Sequence, residues 1–471
     1  VAQDRHPQTL MAAPSDSRDA GGALTLCALE TRYGRPEVRR LFDDEHRLQV
    51  QLQIESGLAA VQASHGLIPK EAAAAIAGAV REGRVSVARV QAIEAETAHE
   101  TMAVVRALAE QSGPGGAYVH LGATSADIVD TAAALQLKEF LALLRNQVVS
   151  LRGALLEQAQ RHRSTIMLGR THGQAALPIT FGMKMAVYAL EVDRHLSRLD
   201  EIAPRVCVGK LSGAVGTGAG FGPKAFELQR ELMAQLGLAA EEGPTQVVGR
   251  DRYVELFGLF SQLAVTVEKV ATEIRNLQRT EIDEVREAFD TARQVGSSTM
   301  AHKRNPIRAE NLCGLARVLR AFATPIEESA LLWHERDLSN SSAERVALPH
   351  ACVLADDIVG RLGKLIQSLE VDATRMEANL RAAGSQIMAE AVMLALVAKG
   401  LGRPEAYALV RKCSLEAIGA GRAFAEELRR TPEVSSCLSS KELEAALDPR
   451  GYLGNAEAIV DQAAARARAH P

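Results

Sequence analysis

From Ala126 to Arg163 the chain runs without a proline and with one glycine, Gly153. Such a run permits a single helix of about 38 residues, roughly 57 Å long. Helices of that length are rare in compact monomeric domains. A second periodic segment opens at Asp251, where Leu256, Phe260, Leu263, Val267, Val270, Ile274 and Leu277 recur at alternating spacings of four and three. That is the seam of a coiled-coil-like helix. Phe257, Leu259 and Val265 are apolar too, so more than one face of this helix is expected to be buried. Helical patterns at 178–202, 306–324 and 342–370 complete a set of about five. The chain therefore reads as all-α, with a central long-helix bundle whose extra apolar faces pack against other subunits.

Composition narrows the function classes. Aromatics make up only 4% of the 471 residues, against 47% hydrophobic, which favours helices over sheets. A net charge of −4 and a pI near 6.4 leave no basic footprint for nucleic acid or for an anionic membrane surface. No apolar run approaches the roughly 18 residues that a membrane span needs. The six cysteines, Cys27, Cys207, Cys313, Cys352, Cys413 and Cys437, are scattered and form no C-x-x-C pair. They are expected to be free thiols in a reducing compartment, so the expected location is cytoplasmic. The histidines include no H-E-x-x-H and never cluster with cysteines at zinc-ligand spacing, so neither a metal nor a cofactor is expected.

Punctuation divides the chain. Residues 1–24 contain Pro, Ser, Asp and Gly, carry no positive-then-apolar signal pattern, and read as a disordered tail. Helical patterns at 32–67, 70–79 and 87–110, broken by Pro69 and ended by Gly113-Pro-Gly-Gly116, form an N-terminal helical domain over 25–122. The five-helix bundle occupies 123–366. Shorter helices broken at Gly384, Gly400, Pro404 and Gly419 make a C-terminal helical domain over 367–471.

The polar breaks between helices are where chemistry can sit. His99, on the last helix of the first domain, reads alone as an ordinary helical histidine. Thr124 and Ser125 precede the long helix; they either cap it or, with its free N–H groups, hold an anion. His172, between Thr171 and Gly173, falls in an irregular turn before Pro178 opens the next helix, a better acid/base position than mid-helix. The Gly-rich run Ser212–Gly222 imitates a dinucleotide loop, but Gly218 and Gly220 would require a glycine where Pro223 stands, and no βαβ pattern surrounds it. A flexible or close-packing loop fits better. Arg336, Ser341, Ser342 and Arg345 suit a phosphate or carboxylate cradle, or else a helix start salt-bridged through Glu335, Asp337 and Glu344. Gly296-Ser-Ser-Thr-Met-Ala-His-Lys-Arg-Asn-Pro306 packs three adjacent hydroxyls, Lys303, Arg304 and Asn305 between the third and fourth helices. Gly296 lets that backbone bend, and Pro306 suits a first helical residue. It is either a solvated loop or one that engages an anion.

That last stretch is similar to the signature loop of the fumarase/aspartase superfamily. Tyr118-Val-His-Leu-Gly-Ala-Thr-Ser, Gly169-Arg-Thr-His-Gly, Lys210-Leu-Ser-Gly-Ala-Val-Gly-Thr and Trp333-His-Glu-Arg-Asp with Ser341-Ser-Ala-Glu-Arg345 most resemble its adenylosuccinate-lyase branch. Ala175-Ala-Leu-Pro178 and Thr299 lean toward the carboxymuconate-cycloisomerase branch. The resemblance implies a three-domain subunit, a homotetramer with a twenty-helix bundle, and active sites shared between subunits. It implies anti elimination across the C–N bond of a substituted succinate, releasing fumarate from a small-molecule dicarboxylate. Ser297 matches the general base, His172 the general acid and Glu310 the carboxylate that orients it. Lys303 and Asn305 match the groups that stabilise the doubly charged aci-carboxylate. Thr124 and Ser125 match carboxylate binders, and His99 and Thr171 line the substrate site. Arg32, Tyr33, Arg336, Ser341 and Arg345 match the holders of a nucleotide phosphate, with Gln246 a further contact. Two positions depart from the pattern. The usual Arg-His-Asp is Ala98-His99-Glu100, and the usual Met-Pro is Met300-Ala301. Beside the nucleotide reading these leave a smaller succinate such as nitrosuccinate, a cycloisomerase-like reaction, or a crystallin-like structural homologue.

Overall fold

The computed structural model describes residues 27–289, 300 and 302–470. Its framework comprises α1 (Asp44–Ser64), α2 (Glu100–Gln111), α3 (Ser125–Arg161), the hairpin β1 (Ile166–Thr171) and β2 (Gln174–Thr180), α4 (Phe181–Val206), α5 (Asp251–Leu277), α6 (Ile307–Ala321), α7 (Ser339–Gln367) and α8 (Ala456–Ala469). The fold is all-α, with α3 to α7 forming the long-helix bundle. α3 keeps its 37 residues unbroken, about 55 Å of helix.

Every residue of the α5 seam, from Leu256 to Leu277, is buried, as are Phe257 and Leu259. Phe260 meets Phe140 of α3 edge to face, with ring centroids 5.9 Å apart. Val265 does not follow: it is 52% exposed, and Val187 of α4 and Val318 of α6 are also exposed. Two faces of α5 are thus covered within the chain and one apolar face is left open. α3 and α4 run antiparallel, with Gly182 N–H donating to His162 O at 2.9 Å where the chain turns. α8 returns from the C-terminal helices to this pair. Arg163 holds Asp461 at 2.8 Å, and Arg466 joins Arg152 on the buried carboxylate of Asp193.

Four expected helices differ in extent. The 32–67 pattern is divided into Pro36–Arg40 and α1, and a further short helix, Ala28–Thr31, precedes it. The 87–110 pattern breaks at Ala98, whose φ of 53° is left-handed, so Val87–Thr97 ends there. His99 then caps α2, its Nδ1 accepting from Met102 N–H at 3.2 Å. Histidine is not among the usual caps, which hid the break. Pro178 does not open a helix. It lies in β2 opposite Leu168, on a two-stranded hairpin where a proline costs no inner ladder bond, and α4 starts at Phe181 under a Thr180 cap. Pro306 is the residue before α6 rather than its first. No single described helix is long and apolar enough to cross a membrane, and no group of three potential metal ligands occurs among the described residues.

Candidate active site

The start of α3 is fixed by Asp127, three residues past Thr124. Its Oδ2 accepts from Thr124 N–H at 2.9 Å and Gly213 N–H at 3.1 Å; its Oδ1 accepts from Ser212 N–H at 2.9 Å and from the fully buried Lys210 ammonium. One carboxylate therefore joins the helix start that carries Thr124 and Ser125 to the Gly-rich loop. That loop is close-packed. A Cβ on Gly216 (φ 88°) would stand 2.1 Å from Pro244 O.

The loop is joined in turn to Arg336. Gln246 donates Nε2 to Ala214 O at 3.1 Å, and its Oε1 accepts from Arg336 at 3.1 Å. The other Arg336 bond goes to Asn340 Oδ1, 3.3 Å away. Among the described residues, the half-buried Arg336 side chain thus bonds only neutral partners. Burial holds its pKa below the ordinary guanidinium value, and nearby Arg250 acts the same way. Arg250 lies beneath, gripping Asp130 of α3 at 2.7 and 2.9 Å and Glu344 of α7 at 2.8 and 3.1 Å. Burial alone would raise the Asp130 carboxyl; the Arg250 guanidinium outweighs it and holds it low. Ser341 is half-buried in the first turn of α7, and Arg345 one turn on donates to Glu100 Oε2 at 2.6 Å, beside exposed His99.

The remaining site residues gather elsewhere. The hairpin tip is a two-residue turn with His172 at φ 55° and Gly173 at φ 74°, which leaves Thr171 and His172 exposed. Arg170 below the tip clamps Glu284 with two bonds of 2.7 and 3.0 Å. Glu284 N–H donates to Leu277 O at the end of α5. Gln278 accepts from Glu287 N–H at 3.0 Å and donates to Arg304 O at 3.2 Å. The Glu287 carboxylate accepts from Arg308 N–H at 3.1 Å and Ala309 N–H at 2.7 Å, supplying α6 with the cap that Pro306 lacks. Lys303, Asn305 and Glu310 stand on this framework, Lys303 and Glu310 exposed and Asn305 half-buried. Tyr33 Oη accepts from Asn311 at 3.3 Å, one residue past Glu310, and Arg361 lies 5.6 Å from its ring centroid; Arg32 next to it is exposed. Ser297 lies outside the described residues.

The structure therefore forms two groups. Thr124, Ser125, Gln246, Arg336, Ser341, Arg345 and His99 meet at the α5 start, and Thr171, His172, Lys303, Asn305, Glu310, Arg32 and Tyr33 lie toward its end. The 27 residues of α5 separate the two groups by about 40 Å. Sequence reasoning passed over the residues beneath them. Asp127 stands at capping-box spacing from Thr124, a usable signal. His120 gave none: it adopts φ 64° and meets buried Glu55 at 2.6 Å.

Residues 31–320 match the family described as Lyase, and residues 385–463 that described as Adenylosuccinate lyase C-terminus. Adenylosuccinate lyase of Pyrococcus abyssi is 47% identical over 438 residues, covering 93% of this chain and 97% of the relative. The chain belongs to the adenylosuccinate lyase family. That of Methanocaldococcus jannaschii is 42% identical, over 94% of this chain and 96% of its own. Among solved structures, fumarate lyase from Mesorhizobium sp. BNC1 superposes with a TM-score of 0.85 at 34% identity, covering 94% of this chain and 99% of that one. The 3-carboxy-cis,cis-muconate lactonizing enzyme from Pseudomonas putida gives 0.83 at 35%, covering 93% and 98%. The protein is thus an adenylosuccinate lyase-like enzyme acting on a small dicarboxylate, and the smaller-succinate, cycloisomerase and structural-homologue alternatives are not favoured.

Proposed function

We propose that this lyase cleaves adenylosuccinate itself, by anti elimination across its C–N bond to release fumarate. The observation that carries the nucleotide reading is Arg336. Among the described residues, a half-buried guanidinium hydrogen-bonded only to Gln246 and Asn340, next to the starts of two long helices, pairs directly with no carboxylate, and Asp130, Glu344 and Asp337 offset its positive charge only from a distance. A phosphate answers it, with Ser341 and Arg345 as neighbours. Thr124 and Ser125 hold a succinyl carboxylate at the α3 start, and Gln246 and His99 line the same end.

Ser297 takes the proton beside the second carboxylate, a role that needs a dehydrated site with cations in place. Lys303 and Asn305 balance the dianion that forms. His172, oriented by Glu310, protonates the departing nitrogen. Thr171, Arg32 and Tyr33 complete the substrate contacts. The 40 Å spacing along α5 puts the two groups beyond the reach of one substrate in one chain, at about 1.5 Å of rise per residue. Subunits that pack side by side bring one chain's Arg336 end to another's His172 end. The open apolar face with Val187, Val265 and Val318 supports that packing as a homotetramer. The subunit works as three domains in the cytoplasm.

Incubation with adenylosuccinate, its ribotide analogue and nitrosuccinate side by side, followed by absorbance of the fumarate released, tests the reading. Turnover of the nucleotide substrates is expected. Turnover of nitrosuccinate alone overturns it.

A further inference from the structure

Glu100 carries a charge that no step of the elimination uses. It stands in the first turn of α2 beside His99, where the helix dipole favours a carboxylate. Two arginines from two other helices share it: Arg345 of α7 donates to Oε2 at 2.6 Å, and Arg47 of α1 lies 3.4 Å from Oε1. The Glu100 side chain is only 22% exposed, whereas that of Arg345 is 60% exposed. The carboxylate is therefore held in place while the guanidinium it neutralises faces outward. Arg336, one turn before α7, presents the opposite case, with no carboxylate bonded to it among the described residues.

We propose that Glu100 is an internal counter-ion that occupies Arg345 while the phosphate subsite is empty, and so sets how strongly the enzyme favours phosphorylated over unphosphorylated succinates. The inference rests on Arg336 and Arg345 being phosphate holders. A phosphate dianion arriving at Arg345 meets a guanidinium already paired; it either displaces the carboxylate or shares the cation with it. Both cost affinity, and neither cost falls on a substrate without a phosphate. An exposed arginine–carboxylate pair changes a binding constant by about two- to fivefold. Glu100 thus acts as a specificity-determining residue through Arg345 and touches no reacting atom.

The test is steady-state kinetics of Glu100→Gln with adenylosuccinate and with the same substrate lacking its phosphate, together with competitive inhibition by inorganic phosphate. The KM for adenylosuccinate and the Ki for phosphate are both expected to fall about two- to fivefold, with kcat and the KM for the unphosphorylated substrate unchanged. In an Arg345→Ala background the effect of Glu100→Gln is expected to vanish, which a merely structural role would not produce. Glu100→Asp, which keeps the charge but shortens its reach, serves as a second variant and is expected to shift both constants in the same direction. Constants that stay put or rise, or that change equally for both substrates, overturn the counter-ion. If Arg345→Ala raises the KM for adenylosuccinate while Glu100→Gln does nothing, the phosphate subsite stands and the counter-ion falls. If Arg345→Ala and Arg336→Ala both leave that KM untouched, the phosphate reading falls and takes the inference with it.

Discussion

Arg170 holds both oxygens of Glu284, at 2.7 and 3.0 Å, and Glu284 is fully buried. The pair fastens the hairpin that presents His172 to the segment leading from α5 toward Lys303. Asn379 adds a third bond to the same carboxylate at 2.9 Å. Removing only the arginine leaves a buried charge short of its counter-ion, a change that typically costs about 3–5 kcal/mol. Arg170→Ala is expected to lose stability on that scale in chemical denaturation. Arg170→Ala with Glu284→Gln is expected to recover part of it, because the buried charge goes too. A double variant no more stable than the single one argues against the pair as the fastening.

Glu287 is buried and caps a helix that cannot cap itself. Burial raises its carboxyl pKa, and the N–H groups of Arg308 and Ala309 pull it partly back. Glu287→Ala leaves both donors without their acceptor and is expected to cost about 1–2 kcal/mol, the usual price of a lost cap. Because Glu310 stands on that first turn and Lys303 and Asn305 on the segment leading into it, kcat is expected to fall further than KM changes. Glu287→Gln, which keeps one acceptor oxygen, is expected to fall between the two. Equal kcat in all three proteins would show that the cap does not position these residues.

Much of the framework was legible because periodicity and proline content are local signals. The α5 seam is buried throughout, and α3 extends over nearly the whole proline-free run. What escaped depended on partners far away in the chain. Ala98 breaks a continuous helical pattern because His99 caps in place of an ordinary capping residue. Pro178 looked like a helix start, but a hairpin places it in a strand. Lys210 is wholly buried only because Asp127, 83 residues earlier, takes its charge. The spacing of the site was not legible at all. Motifs in sequence order imply one constellation, whereas the length of α5 sets half of it apart from the other half.

That separation makes a strong prediction about mixtures. Arg336→Ala, at the α5 start, and His172→Gln, at its end, are each expected to lower kcat/KM for adenylosuccinate, the latter by roughly 100-fold or more. If sites combine chains, dissociating and reassembling the two impaired variants together restores part of the activity, because some hybrid sites take an intact Arg336 and an intact His172 from different subunits. Fumarate release before and after mixing measures it. Mixtures as inactive as their parents would place both groups in one chain's site.

His195 provides a test of stability against pH. It is buried on α4, where Arg198 donates to Nδ1 at 3.2 Å, so the ring is neutral and Nε2–H donates to Thr266 Oγ1 at 2.8 Å. The Thr266 hydroxyl donates in turn to Glu191 Oε1 at 2.7 Å, which closes the chain of donors. Burial, with the Arg198 charge behind it, pushes the His195 pKa down to about 4. A depressed value means that the unfolded chain takes up the proton first. Stability is therefore complete above about pH 6.5 and declines as pH falls toward the folded value, by at most about 3 kcal/mol. Glu191 draws the pKa partly back up, and the measured loss is expected to be smaller than that limit. Denaturation midpoints of wild type and His195→Gln between pH 4 and 7 measure the effect. The variant starts lower at pH 7, because glutamine fits the Arg198–Thr266 chain less well, but its acid slope is expected to be shallower. Parallel slopes would mean that His195 is protonated in the folded state as readily as in the unfolded one.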